Sequence, residues 1–198
     1  MSDSEYHIRI SSQAQTLTLL KLAPAAIEGG LRWALDAPSQ TLMQVLISTS
    51  KNGLGQQRGS YQTPQGRHKI RAKIGDGAAW NTVFVGRRKT GEIWCPEYRE
   101  RFPTRDWILT RILWLSGLEP GHNRFGEVDT MKRYIYLHGS PDTVAMGEPG
   151  SIGCVRMRNS DIVALFDVVP IGTTVDITQS CRSPPEAYWI LAFALRAC

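Results

Sequence analysis

The chain has 198 residues, of which 42% are hydrophobic and 21% charged. That balance argues against a disordered or fibrous protein and suits one large core, or one core with a tail. A formal charge of +5 with no Lys/Arg run of the kind that marks nucleic-acid binders argues against that class, while permitting attraction to a carboxylate-rich substrate.

In chain order, residues 7–10 and 16–20 alternate apolar and polar side chains and predict a half-buried hairpin. Within the first thirty residues no apolar run reaches signal-peptide length. The expected location is therefore the cytosol, or the periplasm if the gene start is incomplete. Residues 23–36, broken by Gly29-Gly30, read as a loop or one helical turn, and residues 42–48 as a strand. Asn52-Gly53 and Thr63-Pro64 with Gly66 mark turns. Residues 68–74 alternate between His68, Ile70, Ala72, Ile74 and a basic set, which predicts a strand at a wet sheet edge. Residues 82–85 form another strand, a turn is expected at Thr90-Gly91, and residues 96–105 read as loop. Residues 106–115, ended by Gly117, predict a buried strand, with Trp107 and Trp114 as core residues. The long loop at 118–130 is placed to rim a cleft.

Residues 134–137 read as a strand that delivers His138 at its end. Six Gly or Pro fall among the fifteen residues 139–153, so that stretch is loop. Ile162, Leu165, Phe166 and Val169 then recur at helical spacing, with Asn159, Ser160 or Asp161 as the cap and Pro170 and Gly172 as the stop. Residues 173–177 return as a strand. Beyond them, 181–185 look like a linker, and the apolar run 187–195 is about half the length of a membrane span.

Cysteines stand at 95, 154, 181 and 198 with no C-x-x-C spacing and no close pairing with His7, His68, His122 or His138. Neither a metal site nor a disulfide framework is expected, and no cofactor is called for. What remains is Cys154 on a glycine-rich turn and His138 at a strand end. A thiol is mostly protonated at neutral pH and needs a base within reach to become a nucleophile. Gly153 leaves room for a carbonyl to approach the backbone, where the N–H groups of Ile152, Gly153 and Cys154 can face an oxyanion. Arg156 offers a positive field or a carboxylate partner. The bland alternative is a small buried Cys and a satisfied loop His.

The strings His138-Gly139 and Ser151-Ile152-Gly153-Cys154-Val155-Arg156 resemble the signature of the L,D-transpeptidase (YkuD-domain) family. Residues 48–55, the Thr63-Pro64-Gln65-Gly66 turn, residues 106–117 and Asn123-Arg124 also resemble that family's short proteobacterial members. The likeness covers about residues 5–178, leaving 179–198 as an appendage. Ile152 stands where many members carry His, and the loop before Ser151 is slightly short. The resemblance implies a mostly β fold, a sandwich-like or twisted sheet with one or two short helices. It also implies a cysteine acyl-transferase acting on peptidoglycan stem peptides or muropeptides. Cys154 would be the nucleophile and His138 the base, with Gly153 and Ser151 completing the catalytic loop and Arg156, Gly139 and Ile152 meeting substrate. With water as acceptor, the favoured reading, the enzyme is an L,D-carboxypeptidase of recycling; with an amine it makes 3→3 cross-links. A non-catalytic binder of peptidoglycan fragments is the remaining alternative.

Overall fold

The computed structural model describes residues 4–27, 30–33 and 39–180, with 24–27 and 30–33 described by their backbone alone. The strands are β1 (Tyr6–Ser11), β2 (Thr16–Leu22), β3 (Pro24–Ile27), β4 (Gly30–Trp33), β5 (Ser39–Leu46), β6 (Gly66–Ile74), β7 (Thr82–Val85) and β8 (Arg88–Ile93). After helix α1 (Glu97–Arg101) come β9 (Ile108–Gly117) and β10 (Tyr136–Ser140), then β11 (Val155–Arg158), helix α2 (Asn159–Val168) and β12 (Thr174–Thr178). The fold is mostly β, as the sequence led one to expect.

One large sheet runs in the order β11-β10-β9-β6-β12-β1-β2-β5, with the β7–β8 hairpin joined to β9. The sheet curls until its two edges meet. Just past β5, Ser48 exchanges backbone hydrogen bonds with Arg156 on β11 (3.0 and 2.9 Å), and Ser151 N–H donates to Thr49 O (3.0 Å). Inside the curl lie Ile8 and Ile10, Leu17 and Leu19, Ile70, Leu113, Leu115, Leu137, Val155, Met157, Val175 and Ile177. Every second residue of each strand faces the same way, which is what turns an alternating sequence into one apolar face. Helix α2 lays Ile162, Leu165 and Phe166 against this core, at the i, i+3, i+4 spacing read from the sequence.

Several expectations change. Residues 24–27 and 30–33 pair as antiparallel strands where a loop or helical turn was expected, while 28–29, 34–36 and 181–198, the last being most of the expected appendage, lie outside the described residues. Strand β6 is paired on both sides, by β12 and β9, so its basic residues do not mark a sheet edge. Lys73 shows where one such charge goes: its Nζ donates to the carbonyls of Phe166 and Val169 at 2.5 and 2.9 Å. It thereby satisfies the orphan carbonyls at the C-terminal end of α2. The turn expected at Thr90-Gly91 falls instead at Gly86 and Arg87, both at positive φ (54° and 68°), the geometry of a tight hairpin turn. Residues 97–101 form α1 where loop was expected. None of the residues that line the cleft described below comes from the 118–130 loop. Its Glu119 and Asn123 side chains bind Arg67 and Gln65 backbone groups and fasten the start of β6.

Candidate active site

Strand β10 begins two residues later than its sequence suggests, so His138 sits in mid-strand. Parallel pairing with β11 sets Leu137 against Val155 and His138 against Arg156. Leu137 and Val155 point into the core. The alternation then turns Tyr136, His138, Cys154 and Arg156 to the opposite face, with Ile112 and Trp114 of β9 beside them. The fold thus brings Cys154 and His138 onto one face of adjacent strands, as diagonal neighbours. Gly139 goes the other way. A Cβ there would stand 2.2 Å from Asn159 Oδ1 and 2.7 Å from the Leu109 carbonyl. Gly139 therefore packs beneath α2, and the expectation that it meets substrate is corrected. Its contribution is a carbonyl, which lies 2.8 Å from His138 Nδ1.

A carbonyl only accepts, so this contact places the ring proton on Nδ1 and leaves a lone pair on Nε2. His138 is fully buried, and Nε2 has no hydrogen-bond partner. A buried polar atom without a partner costs about 1–3 kcal/mol, and such exceptions call for an explanation. A base kept ready for a proton is one. Burial lowers the imidazole pKa, Asp106 and the Gly139 carbonyl draw it back up, and Arg156 presses it down. The Cys154 thiol is pushed up to about 12, chiefly by burial and only partly offset by the Tyr136 N–H and the nearby arginines. Its sulfur accepts that N–H at 3.4 Å and lies 3.5 Å from Tyr134 O. Both shifts favour the neutral forms, thiol and imidazole, over an ion pair.

The loop carrying the thiol is tightly braced. Ser151, fully buried, donates its hydroxyl to Cys154 O at 2.5 Å and accepts the Gly153 N–H at 3.2 Å. Gly153 adopts φ +131°, a conformation that side chains strain to reach, and its carbonyl accepts from Thr63 Oγ1 at 3.0 Å. Arg156 is committed locally. Its Nε and Nη2 both reach Asp106 Oδ1 (3.1 and 2.7 Å), and Nη1 reaches Gly150 O (3.0 Å). That geometry ties Asp106 to the start of the thiol loop. Ile152 is 47% exposed and helps line a cleft of about 480 Å³ that also includes Arg156, Asp106, Arg105, Arg99 and Lys51.

Sequence reasoning missed Asp106, Arg158 and Arg133. Arg158 donates to the carbonyls of Asp142 and Val144. Arg133 donates to those of Gly55 and Gln62. It missed as well the face on the other side of the sulfur. There Arg87 lies 4.6 Å over the Trp114 ring and 4.7 Å over Tyr134, and donates to Tyr136 Oη at 2.9 Å. Trp114 accordingly sits at the site and not in the sealed core, whereas Trp107 is buried as expected. Alternating aromatic residues around 134–136 were the available signal; the partner arginine on a distant hairpin gave none.

Residues 6–177 match the model of the L,D-transpeptidase catalytic domain, YkuD. The "Probable L,D-transpeptidase ErfK/SrfK" of Salmonella typhimurium is 32% identical over 128 residues, which cover 59% of this chain and 40% of that protein. Its Escherichia coli namesake is 47% identical over 62 residues, covering 29% of this chain and 20% of that protein. The chain spans less than half the length of the curated relatives it matches. Among solved structures, Bd1075 of Bdellovibrio bacteriovorus superposes with a TM-score of 0.51 at 16% identity, covering 90% of this chain and 51% of that one, a likeness of fold. With the family model spanning nearly the whole described sheet and the thiol loop, the chain belongs to the YkuD L,D-transpeptidase family of peptidoglycan enzymes.

Proposed function

We propose that this protein cleaves the L,D bond between the third residue, a diamino acid such as diaminopimelate, and D-alanine four of peptidoglycan stem tetrapeptides. The observation that carries the reading is the free, buried Nε2 of His138 on the sheet face that holds the half-buried Cys154 thiol. As Cys154 Sγ attacks the third residue's carbonyl carbon, Nε2 takes the thiol proton. The tetrahedral oxyanion is met by backbone N–H groups of the 152–154 turn; since Ser151 holds the one on Gly153, those of Ile152 and Cys154 serve. When the C–N bond breaks, the imidazolium returns its proton to the amine of D-alanine, leaving a thioester on Cys154. Water, activated by the same nitrogen, then releases the tripeptide acid. We favour water because the cleft that Gly150 and Ile152 of the thiol loop help line has a volume of about 480 Å³, which suits one peptide end. The aromatic face under Arg87 favours a second reading, in which another stem docks there and its amine takes the acyl group. The cytosolic location stays part of the proposal, tied to substrates released during recycling.

The test is mass spectrometry of a disaccharide-tetrapeptide incubated with the protein and, in parallel, with Cys154→Ala. Loss of one D-alanine, absent in the variant, supports the carboxypeptidase. Dimers lacking one D-alanine support the second reading. An unchanged tetrapeptide in both samples sinks the proposal and leaves a binder of peptidoglycan fragments.

A further inference from the structure

The cleft beside the thiol loop has a charge pattern that the reaction itself does not require. Four cations face it, Lys51, Arg99, Arg105 and Arg156, against one carboxylate, Asp106. Arg156 and Asp106 cancel, because Nε and Nη2 of the guanidinium both end on Asp106 Oδ1. Three positive charges remain in a concave wall. Their compensation is slight: Glu92 stands 3.7 Å from Arg105 with both side chains about a third exposed, a separation at which water screens most of the attraction. Arg105 is also held in place. Its guanidinium lies 4.0 Å over the ring of buried Trp107, a stacking that orients the planar fork without using its donors. Arg99 spends one donor on Thr143 O at 3.3 Å. Clefts lined by one sign of charge concentrate the opposite sign, and arginine forks match carboxylates in a bidentate way.

We propose that Arg99 and Arg105, helped by Lys51, form a carboxylate subsite that fixes the substrate peptide next to Cys154. This rests on the reading of the chain as a peptide acyl-transferase. A stem tetrapeptide offers two carboxylates near the scissile bond, the D-alanine terminus and the distal carboxyl of diaminopimelate, and the subsite takes one of them. Arg99 and Arg105 are then specificity residues, not catalytic ones.

The experiment compares three peptides: the tetrapeptide acid, its C-terminal amide, and the form amidated at the distal carboxyl of diaminopimelate. Each is measured with the intact protein, with Arg99→Gln/Arg105→Gln and with Arg105→Lys. The expected result is a kcat/KM about tenfold or more lower for one of the amides, a discrimination on the scale of one charge-assisted contact. The double variant erases it mainly through KM, Arg105→Lys keeps part of it, and raising the salt weakens it in the intact protein. The amide that suffers identifies the carboxylate. If the double variant ranks the three peptides as the intact protein does, the subsite is wrong while turnover leaves the acyl-transfer reading in place. If the intact protein cleaves none of them, calorimetry with Cys154→Ala decides. Amide-sensitive binding that disappears on adding the two glutamines keeps the subsite and removes the reaction; binding indifferent to the amides removes both.

Discussion

The resting protonation of Cys154 can be tested without knowing the substrate, by alkylation with iodoacetamide. A thiol pushed up to about 12 is thiolate in only about one molecule in 10⁵ at pH 7, against about 3% for a free cysteine of pKa near 8.5. The thiolate fraction alone predicts a reaction roughly 3,000-fold slower. A more basic thiolate is also a better nucleophile, and a Brønsted slope of about 0.4–0.5 over 3.5 units returns roughly 40-fold. Cys154 should therefore alkylate about a hundredfold more slowly than free cysteine at pH 7. Its rate should climb tenfold per pH unit without a plateau up to pH 9, measured by intact mass after the other three cysteines, Cys95, Cys181 and Cys198, have been replaced by Ser. His138→Ala should change that rate little while abolishing acyl transfer, because the base is needed only when a carbonyl is attacked. A rate that levels off below pH 8, and loses that plateau in His138→Ala, would refute the reasoning: it would mean a thiolate–imidazolium pair at rest.

Stability should also depend on pH. Burial holds His68 at about 4, below the ~6.5 of an unfolded chain, so the unfolded state binds the proton first. Stability is full above pH 6.5, falls as the pH drops towards 4, and levels off below it, a loss of about 3 kcal/mol from this group; urea midpoints at pH 7.5 and 4.5 measure it, and equal midpoints would contradict it. Asp106→Asn removes the charge that draws the His138 pKa up and leaves Arg156, which presses it down. The acid limb of kcat/KM should move to lower pH and the plateau should drop about tenfold, roughly 1.4 kcal/mol in barrier; a smaller plateau with an unmoved limb would mean that Asp106 only props the loop. Ile152→His places the ring on a half-exposed side chain, so melting should shift by no more than about 0.5 kcal/mol. Turnover should hardly change, and a large gain in kcat would show that the side chain, and not the backbone, acts at 152.

Much of this was legible in the chain because strands and helix carry their periods openly. Ile8 and Ile10, Val175 and Ile177, and Ile162 with Leu165 and Phe166 announce their buried faces through spacing alone. Cys154 and His138 were found because few residue types can do their chemistry. What stayed hidden depends on pairing between distant segments. That β6 is central and not an edge follows from its neighbours β9 and β12, which its own alternation cannot report. Asn159 has the composition of a helix cap, yet its amide bonds Thr110 and Asn81 and the helix begins without a side-chain cap. Asp106 gains its place at the site from Arg156 and His138, which lie thirty or more positions later in the chain. Gly139 was expected to meet substrate, and only the approach of Asn159 shows that the space a side chain would take there is already filled.

Opposite the His138–Gly139 step, where the β9–β10 register shifts, Thr110 stands at φ +67°. A β-branched residue in that region carries about 1–3 kcal/mol of backbone strain. It is held there by its hydroxyl, which donates to Asn159 Oδ1 at 2.8 Å and accepts the Asn81 N–H at 3.2 Å. Strain and hydrogen bonding therefore pull in opposite directions at this position. Thr110→Gly relaxes the backbone but takes the hydroxyl away from Asn159 Oδ1 and the Asn81 N–H, a loss of about the same size as the strain removed. Stability should hardly move, while the register shift beside His138 loses its anchor and turnover should fall. The strain then shows in the aim of one ring nitrogen and not in the melting temperature.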